Sequence, residues 1–168
     1  MKKRMLILIF AMNLVSAQET AKNLTSGAGK IKHTISGTFD VKLAPSTETP
    51  VVADPLFGNM SIDKTFHGDL TATSKGQMLS VRTATKGSAG YVALERVEGK
   101  LLGRSGSFYL QHSGTMDRGT PHLLVSVVPD SGSGELTGIA GSMEINIKEG
   151  AHLYSFTFTL PETEEKNN

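Results

Sequence analysis

The chain has no cysteine and no tryptophan among its 168 residues. The lack of cysteine excludes disulfide bonds, thiolate catalysis, zinc sites built from cysteine and lipid attachment through a cysteine. Aromatic residues make up only 6% of the chain, whereas glycine occurs 18 times. Together with many Ser and Thr residues and no convincing helical stripe, this composition favours one domain of strands and turns.

A cluster of basic residues is also lacking after the N-terminal Lys2, Lys3 and Arg4. If residues 1–17 are removed, 14 basic residues stand against 16 acidic ones, which gives a net charge of −2. This balance argues against a nucleic acid or an acidic membrane surface as a partner.

No apolar run reaches the ~20 residues that a membrane-spanning helix needs. The run over residues 5–15 follows three basic residues and precedes the small residues Ser16 and Ala17. This order predicts a signal peptide over residues 1–17, cleaved after Ala17, and thus a secreted or periplasmic protein without stable membrane insertion. An uncleaved membrane anchor is the alternative, which the short run disfavours.

The rest of the chain divides into three parts. Residues 18–32 are small and polar, which predicts a flexible tether; residues 33–161 form one β domain, and residues 162–168 form an acidic tail. Short turns that contain glycine separate eight strand-like segments, which predicts an antiparallel barrel or sandwich. Residues 44–57, with three prolines, predict a loop long enough to fold over a barrel mouth. The predicted strands are residues 33–43, 59–72, 77–86, 89–97, 107–116, 122–128, 142–148 and 152–160.

Two glycine corners repeat one pattern, G-x-x-G-S followed by alternating apolar residues, at residues 103–110 and 138–145. Glycine permits the positive φ of a tight turn or bulge, and such bends let strands curve enough to close a barrel. Two unrelated Gly-Ser turns are the alternative interpretation.

The C-terminal stretch LTGIAGSMEINIKEGAHLYSFTFTL resembles part of the allene oxide cyclase and dirigent barrels. Three further stretches, FGNMSIDKTFHGDLTATSKGQML, KGSAGYVALERVEGKLLGRSGSF and LQHSGTMDRG, resemble the bacterial domain-of-unknown-function 3224 family. That resemblance spans nearly the whole chain after the predicted signal. It implies an all-β fold, an eight-stranded antiparallel β-barrel like that of allene oxide cyclase. It implies no reaction, because the family has no established one and a shared fold is only an analogy for function.

His112 lies on the apolar face of its predicted strand, in phase with Phe108 and Leu110. We therefore expect His112 to be buried and within hydrogen-bond reach of a protein group. Glu95 is a partner that can orient His112, although neither face of its own strand is plainly inward; a purely structural pair is the alternative. If the barrel has a cavity, the candidate ligand-binding residues are His112, Glu95, Arg104, Arg82 and Tyr91.

Metal, cofactor and nucleophile chemistry have weaker support. His112, Asp117 and His122 have ligand-type side chains, but they lie across a strand end and a turn, so we predict no metal site and no cofactor. The nearest approach to a G-x-S-x-G nucleophile elbow, residues 103–107, ends in Ser instead of Gly.

Three functions remain open, because an eight-stranded barrel can hold one small ligand or be filled by side chains. We favour the binding of a small, mostly apolar molecule in the barrel. An isomerase or cyclase that shapes and desolvates its substrate, as the resemblance to allene oxide cyclase implies, is the first alternative. A filled barrel that acts through its surface or as a homo-oligomer is the second.

Overall fold

The computed structural model describes residues 30–46 and 54–161 of the chain. Within these two ranges, no helix is long and apolar enough to cross a membrane. Four parts of the sequence-based predictions lie outside the described residues: the signal peptide (1–17), most of the tether (18–29), the centre of the loop (47–53) and the acidic tail (162–168).

The described residues form β-strands joined by turns. The strands are β1 (Lys30–Pro45), β2 (Phe57–Gly68), β3 (Leu70–Arg82), β4 (Ala89–Leu101), β5 (Arg104–Asp117), β6 (Thr120–Val127), β7 (Ser133–Gly134), β8 (Ala140–Lys148) and β9 (Ala151–Pro161). All of them except β7 pair antiparallel in the order β1-β2-β3-β4-β5-β6-β8-β9, and β9 pairs with β1 to close the ring. The predicted eight-stranded antiparallel barrel is confirmed, and β7 is an extra strand that pairs with β5.

One predicted strand, over residues 59–72, is wrong because it runs through a turn. β2 ends at Gly68 and β3 begins at Leu70. Gly68 has a φ of 106°, which glycine adopts without strain, and the chain reverses there. Phe66 and Leu70 both face the interior, so the apolar alternation continues across the turn and hides it. β3 then continues through residues 73–76, which the prediction leaves between two strands.

One end of the barrel is filled with side chains. This filled end is where β1 begins and β9 ends, and large inward-facing residues close it. The ring of Phe156 lies 5.7 Å from that of Phe108 and 4.9 Å from that of Phe158, measured between centroids. Burial of these rings and of the aliphatic residues around them is the main stabilising contribution to the fold. The cluster also includes Phe66, Leu70, Val97, Leu101, Leu110, Val125, Leu136, Ile139, Met143 and Leu160.

The opposite end, where β1 ends and β2 begins, is more sparsely lined. Several inward positions there carry small residues: Gly58, Ser80, Ala89 and Gly114. Four large apolar residues at other inward positions are between 38% and 64% exposed, although they point into the barrel: Leu43, Met116, Leu123 and Ile147. We call this end the mouth and define it by Leu43, Met60, Met78, Tyr91, Met116, Leu123 and Ile147.

Candidate functional site

Three ionisable side chains meet inside the barrel, between the filled end and the mouth. Strand alternation points Lys64 from β2, Glu95 from β4 and His112 from β5 into the interior, and all three are buried. A buried charge is costly unless it is paired and hydrogen-bonded, so the geometry of this cluster determines whether it is stable.

The carboxylate of Glu95 is the centre of the cluster. Its Oε1 accepts a 2.8 Å hydrogen bond from Lys64 Nζ and lies 2.9 Å from Nε2 of His112. Its Oε2 accepts a 2.9 Å hydrogen bond from Ser74 Oγ. Since an ionised carboxylate is only an acceptor, His112 donates from Nε2. Both oxygens of Glu95 are therefore satisfied by protein donors.

Glycine at position 76 makes the contact between β4 and β2 possible. Gly76 lies on β3 and pairs with Ile62 on one side and with Glu95 on the other. A Cβ atom there would lie 2.7 Å from both Cα and Cβ of Glu95. The missing side chain thus leaves the space through which Glu95 reaches over β3 to Lys64.

Aromatic rings flank the ammonium group of Lys64. Its Nζ lies 5.0 Å from the ring centroid of Phe39 and 5.8 Å from that of Phe66. Ring faces attract a cation, and more strongly where water is excluded. The two rings therefore help to hold a charged lysine inside the barrel.

Electrostatics keep Glu95 ionised. Burial alone would raise the pKa of Glu95, but the hydrogen bond from His112 and the charge of Lys64 outweigh it and lower the pKa to about 2. Tyr91, on the same face of β4, has a raised pKa because of burial and, secondly, the negative charge of Glu95. At neutral pH Glu95 is thus a carboxylate and Tyr91 a neutral phenol.

The donors of the cluster keep a little exposed surface, whereas its carboxylate keeps none. The side chain of Glu95 is 0% exposed, whereas those of Lys64 and His112 keep 7% and 4% exposure. Among the described residues, none forms a hydrogen bond with Nδ1 of His112. This nitrogen is not fully buried, so it keeps some exposed surface. The surface that the cluster leaves accessible therefore belongs to its donors, Lys64 and His112.

The structure brings two of the five predicted candidates, His112 and Glu95, into contact, and it places Tyr91 on the same face of β4 as Glu95. The predicted burial of His112 and its hydrogen bond to the protein are confirmed. Arg82 is exposed at the end of β3, on the rim of the mouth. Arg104 begins β5 at the filled end, so the structure does not place it with the others.

Sequence analysis missed Lys64 and Ser74. Both occupy inward positions on strands whose neighbouring inward residues are apolar, such as Ile62 and Phe66 beside Lys64. A lysine in the apolar phase of a strand is the signal that points to a buried partner, because lysine is rarely buried unpaired.

The residues considered for a metal do not converge. His112 is buried, whereas Asp117 and His122 are exposed on either side of the β5–β6 turn. Among the residues that the structure describes, no three His, Asp or Glu side chains are grouped as metal ligands.

Comparison with known proteins agrees with the barrel. None of the curated proteins compared with this chain matches it. A crystal structure of a DUF3224-family protein of unknown function from Shewanella oneidensis MR-1 is similar, with a TM-score of 0.71 and 50% sequence identity. The similarity covers 79% of this chain and 100% of that one. The DUF3224 family, described as proteins of unknown function, matches residues 35–158. The chain therefore belongs to the DUF3224 family.

Proposed function

We propose that the barrel binds a small, mostly apolar molecule in its mouth, in front of the Lys64–Glu95–His112 cluster. The observation that carries this proposal is the exposure of Leu43, Leu123 and other mouth residues that point into the barrel. Inward-facing apolar residues are normally covered by their neighbours. A ligand that covers them gains about 25 cal/mol for each Å² of apolar surface removed from water.

The division of the interior supports binding over a filled barrel. The aromatic cluster of the filled end is enough to form a core, and the mouth adds apolar lining with few polar groups. Ligand pockets typically combine such a lining with a small number of polar side chains that orient the ligand. The proposal includes a location outside the cytoplasm, because residues 1–17 are predicted to be a signal peptide.

Native mass spectrometry of the mature protein, purified from its own compartment, tests the proposal. We expect a reproducible small molecule that denaturation releases and that chemical analysis identifies. Ser80→Phe places a ring in the mouth and should abolish the bound mass, whereas Ser113→Phe adds the same ring to the outer face and should not. A folded wild-type protein with nothing bound, in a defined oligomer, would favour a module that acts through its surface.

Catalysis by an isomerase or cyclase is a second candidate, which one observation favours. Glu95 accepts a hydrogen bond from one nitrogen of His112, and no described residue hydrogen-bonds the other, an arrangement that suits a general base. Incubation of the released molecule with the protein should then give an isomer of unchanged mass, and His112→Gln should stop this conversion. Recovery of the molecule unchanged with the wild-type protein would eliminate this candidate.

A further inference from the structure

Lys64 lies two inward positions along β2 from the mouth residue Met60, and it has more hydrogen-bond donors than the described residues use. The ammonium group of Lys64 has three N–H bonds, and the described residues provide one acceptor for it, Oε1 of Glu95. Phe39 and Phe66 flank the group, but their rings have no oxygen or nitrogen atom that accepts a hydrogen bond. Lys64 can therefore bind an additional acceptor that arrives from the mouth.

The negative charge of the cluster, in contrast, is already covered. Glu95 receives hydrogen bonds from three side chains, and its own side chain has no exposed surface. An incoming cation would meet Lys64 first and be repelled. An incoming anion would meet the ammonium group directly, in a site largely closed to water, where such attraction is strong.

We propose that the molecule bound in the mouth is an amphipathic carboxylate, whose apolar chain lies among the mouth residues and whose carboxylate accepts hydrogen bonds from Lys64. This inference rests on the proposed function and adds the chemical class of the ligand. It combines two observations on the described residues: the apolar lining of the mouth and the buried ammonium group of Lys64 on the inward face of β2.

Probes that share one chain and differ in head group test the inference. Decanoate, decanol and decyltrimethylammonium are titrated into the mature protein, and affinity is measured by calorimetry. We expect decanoate to bind at least about tenfold more tightly than decanol, since a hydrogen bond between two charged groups is stronger than one to a neutral hydroxyl group. The cation should bind most weakly.

Two lysine variants identify the residue responsible. Lys64→Met should remove the preference for decanoate over decanol. Lys75→Met removes the same charge from the outer face of β3, where Lys75 pairs with Asp63, and should keep the preference. If Lys64→Met does not fold, Lys64→Met combined with Glu95→Gln removes both buried charges and serves in its place.

The outcomes separate the two proposals. Equal affinity for decanoate and decanol, or a preference that survives Lys64→Met, overturns the carboxylate inference and leaves apolar binding intact. Failure of all three probes to bind the folded protein overturns both. A decanoate preference that is lost only in the Lys64 variants supports the inference.

Discussion

At the scale of single residues, the interior depends on how the charge of Glu95 is neutralised. A carboxylate with no exposed surface loses its hydration, and Lys64, His112 and Ser74 replace that water with three hydrogen bonds. The attraction between buried partners rarely exceeds the cost of removing them from water by much. The cluster therefore contributes little to the stability of the fold, since apolar residues could fill the same space without the cost of removing charges from water. Its presence is better explained by a binding site.

Acid should weaken the fold through Glu95. The folded state lowers the pKa of Glu95 from 4.5 to about 2, so its contribution is complete above 4.5 and is lost as pH falls towards 2. The shift corresponds to about 3 kcal/mol of unfolding free energy, since one pKa unit is about 1.4 kcal/mol. Urea unfolding at neutral pH and at about pH 3 measures the larger part of this loss, because pH 3 lies between the two pKa values. The Glu95→Gln variant should lose less unfolding free energy than the wild-type protein between neutral pH and about pH 3. An equal loss in both proteins would contradict the assignment of the acid effect to Glu95.

Removing the carboxylate entirely should be more damaging. Glu95→Ala leaves the Lys64 ammonium buried without its acceptor, and breaking a buried pair in this way costs about 3–5 kcal/mol. The urea midpoint should fall accordingly, and adding Lys64→Met should recover part of the loss. Glu98→Ala is the matched control, because Glu98 is exposed on the same strand and pairs with exposed Arg96. A similar loss from both alanine variants would show that burial of the pair is not the cause.

At the scale of the strands, sequence alternation predicted some orientations and not others. His112 could be placed because Phe108 and Leu110 share its phase and are buried. Glu95 could not, because Val92 and Leu94 on the outer face of β4 are apolar too, and each is 55% exposed. Alternation identifies the inner face only where the outer face is polar. Glu95 on β4 contacts Lys64 on β2 across β3. The alternation of residues within one strand carries no information about such a contact.

Gly76 is the strand position that should tolerate substitution least. The Cβ of Gly76→Ala would lie 2.2 Å from the Leu94 carbonyl oxygen and 2.7 Å from Glu95 Cα, so β3 and β4 must separate. We expect a loss of about 1–3 kcal/mol, as for other overpacked sites, measured by urea unfolding. At Gly90, on the outer face of β4, a Cβ would meet nothing closer than 3.9 Å, and Gly90→Ala should change little. Equal effects would mean that strand propensity, not this contact, is responsible.

At the scale of the whole molecule, the barrel has two unlike ends. Repeated glycine corners, alternating strands and the family resemblance together predicted a closed eight-stranded barrel, and this is the fold observed. They did not predict that one end is filled and the other open, since that depends on which inward residues the barrel's stagger brings to the same level. The resemblance to allene oxide cyclase stays a prediction.

Methionine methyl groups provide the most direct test of ligand binding in the mouth. Met60 and Met78 are register partners on β2 and β3 in the mouth, whereas Met143 is buried at the filled end. Decanoate is titrated into protein that contains methyl-labelled methionine, and the methyl resonances are followed by NMR. We predict that the signals of Met60 and Met78 shift to saturation while that of Met143 stays in place. Unchanged signals at Met60 and Met78, or equal shifts at all three residues, would contradict binding in the mouth.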